Sequence, residues 1–154
     1  NNKRCPVVVV EAMECLGGMG YVEETPMPML YREAPLNGIW EGSGNVICLD
    51  VLRSLARNPE AGEALAAELC ARRGEDRRYD AALSAALALL TSPEERRARE
   101  LTERLALLLQ AAELMRTGAP AAGAFIATHL AGDWGRTFGT LPEGTEAPAL
   151  AALI

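Results

Sequence analysis

Apolar residues recur at spacings of three and four along most of the chain, a pattern that predicts helices. In residues 3–16, Val9, Met13 and Leu16 share a face, Pro6 suits a first turn, and Gly17–Gly18 form a stop. Residues 22–36 hold Pro26, Pro28 and Pro35, which leave room only for a short helical turn at 29–33. Residues 45–56 put Val46, Leu49, Leu52 and Ala56 on one face, widened by Val51 and Leu55, so that helix is expected to be buried on two sides.

Pro59 opens the next helix, 60–72, with Leu65 and Leu69 facing in, and 77–90 aligns Leu83, Leu87 and Leu90. At 92–95 the signal is a capping box: Ser92 as N-cap, Pro93 at the first position, Glu95 three residues on. Leu101, Leu105, Leu108, Ala112 and Met115 then form the seam of a bundle helix reaching Arg116. A last helix runs from Ala119–Pro120 through Phe125, Ile126 and Leu130 to about Trp134. The expected fold class is all-α, an antiparallel helical bundle of about six helices with extra C-terminal helices.

Composition sharpens this. The apolar share is 49% with aromatics at only 5%, so Ala and Leu carry the core and helices are favoured over strands. Composition shifts near Asn58–Pro59. Residues 1–58 hold Gly-rich turns and unusual chemistry, and 59–154 a regular Ala/Leu/Arg helical array, which predicts a motif-bearing part and a helical extension packed on it. Net charge is −6, and neither part is net basic. Arg72, Arg73, Arg77, Arg78, Arg96, Arg97 and Arg99 could serve a nucleic acid. They are interleaved with Glu75, Asp76, Asp80, Glu94, Glu95 and Glu100, so a solvated, salt-bridged surface is the better reading.

Cys5, Cys15, Cys48 and Cys70 fit no zinc spacing, and His129 is the sole histidine, so no metal site is expected. Buried free thiols in a reducing cytoplasm are expected instead. No apolar run reaches the ~18 residues of a membrane span, and no secretory leader is recognisable.

The chemistry concentrates in residues 38–53, GIWEGSGNVICLDVLR. Glu41 lies between an apolar pair, Ile39–Trp40, and the flexible run Gly42-Ser43-Gly44. Glycines there permit close approach to the main chain, and Ser43 or Asn45 can cap a helix or bond a ligand. The plain alternative is a connection followed by an N-cap.

Three segments, EAMECLGGMGY at 11–21, LYREA at 30–34 and IWEGSGN at 39–45, together resemble the C-terminal helical domain of the acyl-CoA dehydrogenase family. The Trp and the C-L-D-V-L-R that follows resemble its alkylation-response branch. The resemblance implies a flavoprotein of three parts, with an N-terminal helical domain and a middle β domain outside this chain. It is then a fragment expected not to hold FAD tightly alone. It implies that Glu41 is the catalytic base that takes the α-proton of an acyl-CoA thioester, with Trp40 beside it raising its pKa. Ser43 and Asn45 would bond FAD, and Gly17 and Gly18 would approach the adenosine half of a neighbouring subunit's FAD. Glu14 and Arg32–Glu33 stand where the family has Gln and Arg-Asp. The implied partners are an acyl-CoA and further copies, as dimer or tetramer. The alternatives are a flavoprotein that protects DNA with little turnover, DNA binding not being favoured, and a helical oligomerisation module.

Overall fold

The computed structural model describes residues 1–40, 42–135 and 137–145. Among them every regular element is helical, as the Ala/Leu periodicity requires. The chain divides into two compact units, Asn1–Cys48 and Leu49–Ile154, and the division falls within a helix rather than at the composition shift.

The first unit begins with α1 (Cys5–Cys15). Asn1 O accepts from the amides of Arg4 and Cys5, both at 2.9 Å, and Pro6 occupies the first turn, where its missing N–H costs nothing. The helix ends at Gly17, whose φ of +58° suits glycine. A 3-10 turn, Gly17–Gly20, follows. Gly20 is buried there, and a Cβ on it would lie 2.8 Å from both the carbonyl carbon and the Cα of Met13. The turn can fold back on α1 only because that atom is missing. Helix α2 (Met27–Glu33) is longer than the proline run predicts, because Pro28 sits in its first turn rather than in its interior. It packs on α1, and a 3-10 turn, Leu36–Gly38, leads on to α3 (Gly44–Arg57).

Burial of α3 on two sides is not observed. Cys48 is its one buried residue among those described, Leu49, Val51, Leu52 and Leu55 are half-buried, and Val46 and Ile47 are exposed. The apolar stripe is therefore used along one edge only. The cysteines depart from expectation too. All four are free, but Cys5 and Cys15 are exposed, because no residue of α1 is buried; Cys48 is buried and Cys70 partly so.

The second unit holds the main core. Helices α4 (Pro59–Cys70), α5 (Arg77–Thr91) and α6 (Ala98–Arg116) pack on one another, with Leu69, Tyr79, Leu83, Leu101 and Leu108 fully buried. The α6 seam is the expected one: Leu101, Leu105, Leu108 and Ala112 are buried and Met115 packs against them. On α5 the stripe is rotated. Leu83, Ala86 and Leu89 are buried while Leu87 and Leu90 flank them, because an alanine lets α6 come close.

Asp76 caps α5, accepting from the amides of Arg78 at 2.7 Å and Tyr79 at 3.4 Å. The Tyr79 phenol donates to Leu69 O at 2.8 Å, joining the end of α4 to the start of α5. The capping box at Ser92 does not form. Pro93 disfavours a helical Ser92, which is extended (ψ 75°) and ends α5, and α6 starts only after a 3-10 turn at Glu95–Arg97. The last helix is also shorter than expected. After α7 (Ala122–Phe125) the chain widens into a π turn, Ile126–Leu130, which buries Ile126 and Ala127 against α5 and α6.

Two stability predictions follow from these contacts. Burial raises the Tyr79 pKa to about 12 from its ordinary 10.0. Its contribution is complete below the unfolded pKa and is lost as pH rises through the folded one. Stability to urea should therefore fall between pH 10 and 12, and Tyr79→Phe should remove that alkaline limb and cost about 1–2 kcal/mol at neutral pH. Asp76 is held below its usual pKa, chiefly by the Arg78 guanidinium. Asp76→Ala should cost about 1 kcal/mol at pH 7 and progressively less as pH falls through the folded Asp76 pKa.

Candidate functional site

The conspicuous residues of the first unit lie in two places. The first is the turn after α1. Glu14, in its last turn, is exposed, and Gly17 and Gly18 follow, both exposed. The three nearby glycines have different reasons to be glycine. Gly17 needs its positive φ, and Gly20 needs its missing Cβ against Met13. Gly18 has no positive φ, and a Cβ built on it meets nothing within 4 Å. Folding of the described residues gives no reason for glycine at that position, so its bare backbone is available to an approaching group.

A groove of about 890 Å³ opens beside this turn. Met13 and Pro28 line it with Glu14, Gly17, Tyr21 and Arg32. Arg32 is held by a two-point ion pair to Glu23, at 2.8 and 3.3 Å, rather than by Glu33 beside it in sequence. The hydrogen bonds from Arg32 hold the Glu23 carboxyl below its usual pKa and raise that of Arg32. The Arg32–Glu23 pair and Tyr21, which is 79% exposed, were not legible as groove residues, because their meeting depends on how the proline-rich segment folds.

The second place is the entry to α3. Trp40 is 66% exposed and its indole N–H donates to Asn37 Oδ1 at 3.1 Å. Glu41 lies outside the described residues. Gly42 has φ +99°, and a Cβ there would come within 3.1 Å of the Ile47 side chain, so this glycine is demanded by the fold. The Ser43 carbonyl accepts the Ile47 amide at 3.1 Å, which starts the helical ladder of α3. Ser43 and Asn45 are exposed at this end. Glu14 and Gly17 thus share the groove, whereas Gly18, Trp40, Ser43 and Asn45 are not among its lining residues.

In the second unit the arginines are largely engaged. Arg72 pairs with Glu75, Arg78 with Asp76, Arg96 with Glu94, and Arg97 and Arg104 with Glu100. His129 stacks on Phe125 with centroids 4.4 Å apart, and its Nδ1 lies 2.7 Å from the Thr128 hydroxyl. Among the described residues no three His, Cys, Asp or Glu side chains gather as a metal site would need. No helix among them is long and apolar enough to cross a membrane.

Residues 3–56 match the family model described as "Acyl-CoA dehydrogenase, C-terminal domain", a span that includes both places. This segment carries the likeness to the acyl-CoA dehydrogenase C-terminal domain that the three motifs announce. It is 44% identical over 118 residues to "Putative acyl-CoA dehydrogenase AidB" of Escherichia coli, an alignment that covers 77% of this chain and 22% of that protein. It is 51% identical over 51 residues to "Acyl-CoA dehydrogenase family member 11" of Caenorhabditis elegans, covering 33% of this chain and 8% of that one. The chain therefore spans well under half the length of either relative.

The contrast among the glycines can be measured. Gly18→Ala should change the urea-unfolding free energy by less than about 0.5 kcal/mol, whereas Gly17→Ala should cost about 1–2 kcal/mol through its left-handed backbone.

Proposed function

We propose that this chain is the C-terminal part of an FAD-dependent acyl-CoA dehydrogenase, in which Glu41 is the base that removes the α-proton of an acyl-CoA thioester. The observation that carries the reading is Gly18, a glycine with open space at its Cβ position, next in sequence to the groove residue Gly17 and within the span matched to the family. A dinucleotide needs such a place, where phosphate and ribose can approach the main chain without meeting side chains. The residues present therefore fit the cofactor.

In this reading Gly17 and Gly18 admit the adenosine half of FAD, and Glu14 accepts hydrogen bonds from its ribose or adenine. The Ser43 hydroxyl and the Asn45 amide donate to it at the head of α3. Trp40 supplies an apolar wall next to Glu41 in sequence. When bound, FAD would supply the hydride acceptor for the β-carbon. Glu41 takes the α-proton, and the electrons of that C–H bond become the new carbon–carbon double bond. Glu41 must be ionised to act as the base. A cytoplasmic location, and assembly of the complete protein as a dimer or tetramer, belong to the same reading. The ion pairs of the second unit occupy several of the arginines that a DNA-protecting role would use.

In the complete protein, Glu41→Gln should retain the visible flavin band while bleaching of that band by acyl-CoA thioesters slows about 10²–10⁴-fold. Bleaching at the parent rate would remove Glu41 from the mechanism. A parent protein with flavin that no acyl-CoA bleaches would overturn the dehydrogenase reading itself.

A further inference from the structure

Ile39 and Trp40 stand between the 3-10 turn at Leu36–Gly38 and the entry to α3, and they are 69% and 66% exposed. With so little of either residue covered, packing does not fix where the indole points. Hydrogen bonds do so instead. The Leu36 carbonyl accepts from the amides of Ile39 at 2.8 Å and Trp40 at 3.1 Å, which holds the Trp40 backbone to the turn. The Trp40 indole N–H donates to Asn37 Oδ1 at 3.1 Å, which holds the ring. An indole nitrogen can only donate, so the Asn37 side chain has to present its oxygen rather than its NH2 group. The spacing suits the bond. Side chains three residues apart along a 3-10 turn line up, and Asn37 and Trp40 are three apart.

Asn37 is itself held. Its carbonyl accepts from the Asn2 side-chain amide at 3.1 Å, across 35 positions of sequence, and the Gly38 amide beside it donates to Pro35 O at 3.1 Å. Asn1, next to Asn2, accepts from the amides of Arg4 and Cys5 at the start of α1. A line of restraint therefore runs from the first helix through Asn2 and Asn37 to the ring of Trp40. Trp40 is the last described residue before Glu41, and the first after it is Gly42. A glycine restricts the chain around it least, so the Trp40 side supplies the firmer hold on the approach to residue 41.

We propose that Asn37 is a positioning residue for the base that the dehydrogenase reading, on which this inference rests, assigns to Glu41. By accepting the indole N–H it fixes Trp40, and through Trp40 the direction from which Glu41 meets the α-proton. Asn37 touches no reacting atom in this role. It removes rotations that an exposed indole would otherwise keep, so the residue beside the base holds one orientation when substrate arrives. Asn37 is exposed, and shortening it opens no cavity.

Two measurements test this. In the 154-residue chain, hydrogen exchange of the two indole N–H groups is followed by NMR. Trp134 is the reference, since it too is exposed and its indole makes no hydrogen bond among the described residues. The Trp40 indole should exchange about fivefold more slowly than that of Trp134 and should lose this protection in Asn37→Ala, while Asn37→Asp, which keeps an accepting oxygen, should retain it. In the complete protein, Asn37→Ala should slow flavin bleaching at saturating acyl-CoA about tenfold and move the half-saturating concentration less than about twofold. Trp40→Phe removes the donor, so adding Asn37→Ala to it should slow bleaching no further. Equal Trp40 exchange in the parent and Asn37→Ala would overturn the proposal. So would bleaching of Asn37→Ala at the parent rate, a change confined to half-saturation, or losses that multiply in the double variant. A parent flavin that no acyl-CoA bleaches is a separate failure: it overturns the dehydrogenase reading, and the catalytic role of Asn37 with it.

Discussion

The second unit depends on one buried hydrogen bond, from the Tyr79 phenol to the Leu69 carbonyl. Leu69 is in the last turn of α4, where carbonyls lack partners in the helix, and Tyr79 is in the first turn of α5. The phenol brings apolar mass to the core and a short hydrogen bond to a carbonyl that otherwise accepts the Arg72 amide at 3.4 Å. The ring stays buried only because its hydroxyl is satisfied, and its raised pKa reflects the same burial. Asp76 holds the adjoining helix end from the solvent side through the amides of Arg78 and Tyr79. The turn between α4 and α5 is thus fixed from both sides, and α6 packs onto the result.

The first unit is organised differently. It has almost no buried side chains: none in α1, and only Gly20, Pro28 and Ala34 among residues 1–40. Its precision comes from backbone. Gly17 turns the chain, Gly20 lets the turn touch Met13, and Gly42 fits under Ile47. With these three accounted for, Gly18 is a glycine that neither a positive φ nor a close contact requires, and the flavin reading rests on it. Exposed apolar residues such as Met19, Tyr21, Ile39 and Trp40 surround the same region. In the second unit Leu69, Leu83, Leu101 and Leu108 face inward, while Leu109, Trp134, Phe138 and Leu141 are exposed.

Much of this was legible in the sequence. The helical class, the α6 seam, the inward Leu65 and Leu69 and the glycine stop after α1 follow from periodicity and local conformational cost, which neighbouring residues settle among themselves. The family follows from three short motifs whose order is local too. The misreadings share one cause. The stripe on α5 was rotated by what α6 presses against it, the Ser92 box lost to the end of the preceding helix, and the apolar α3 kept Val46 and Ile47 exposed. Helix periodicity says which residues can face a core. It does not say which neighbour arrives, or how close.

The sequence alone determined where helices form, which glycines break them and which carboxylate stands in the family motif, because those depend on covalent geometry and near neighbours. Tertiary structure decided that Arg32 reaches Glu23, that Tyr79 bonds to Leu69, that Cys15 is exposed while Cys48 is buried, and that three arginines from two helices border one alanine-floored trough. Those outcomes join residues far apart along the chain. They are set by packing in three dimensions, where an alanine at one position admits a helix that a leucine would hold off.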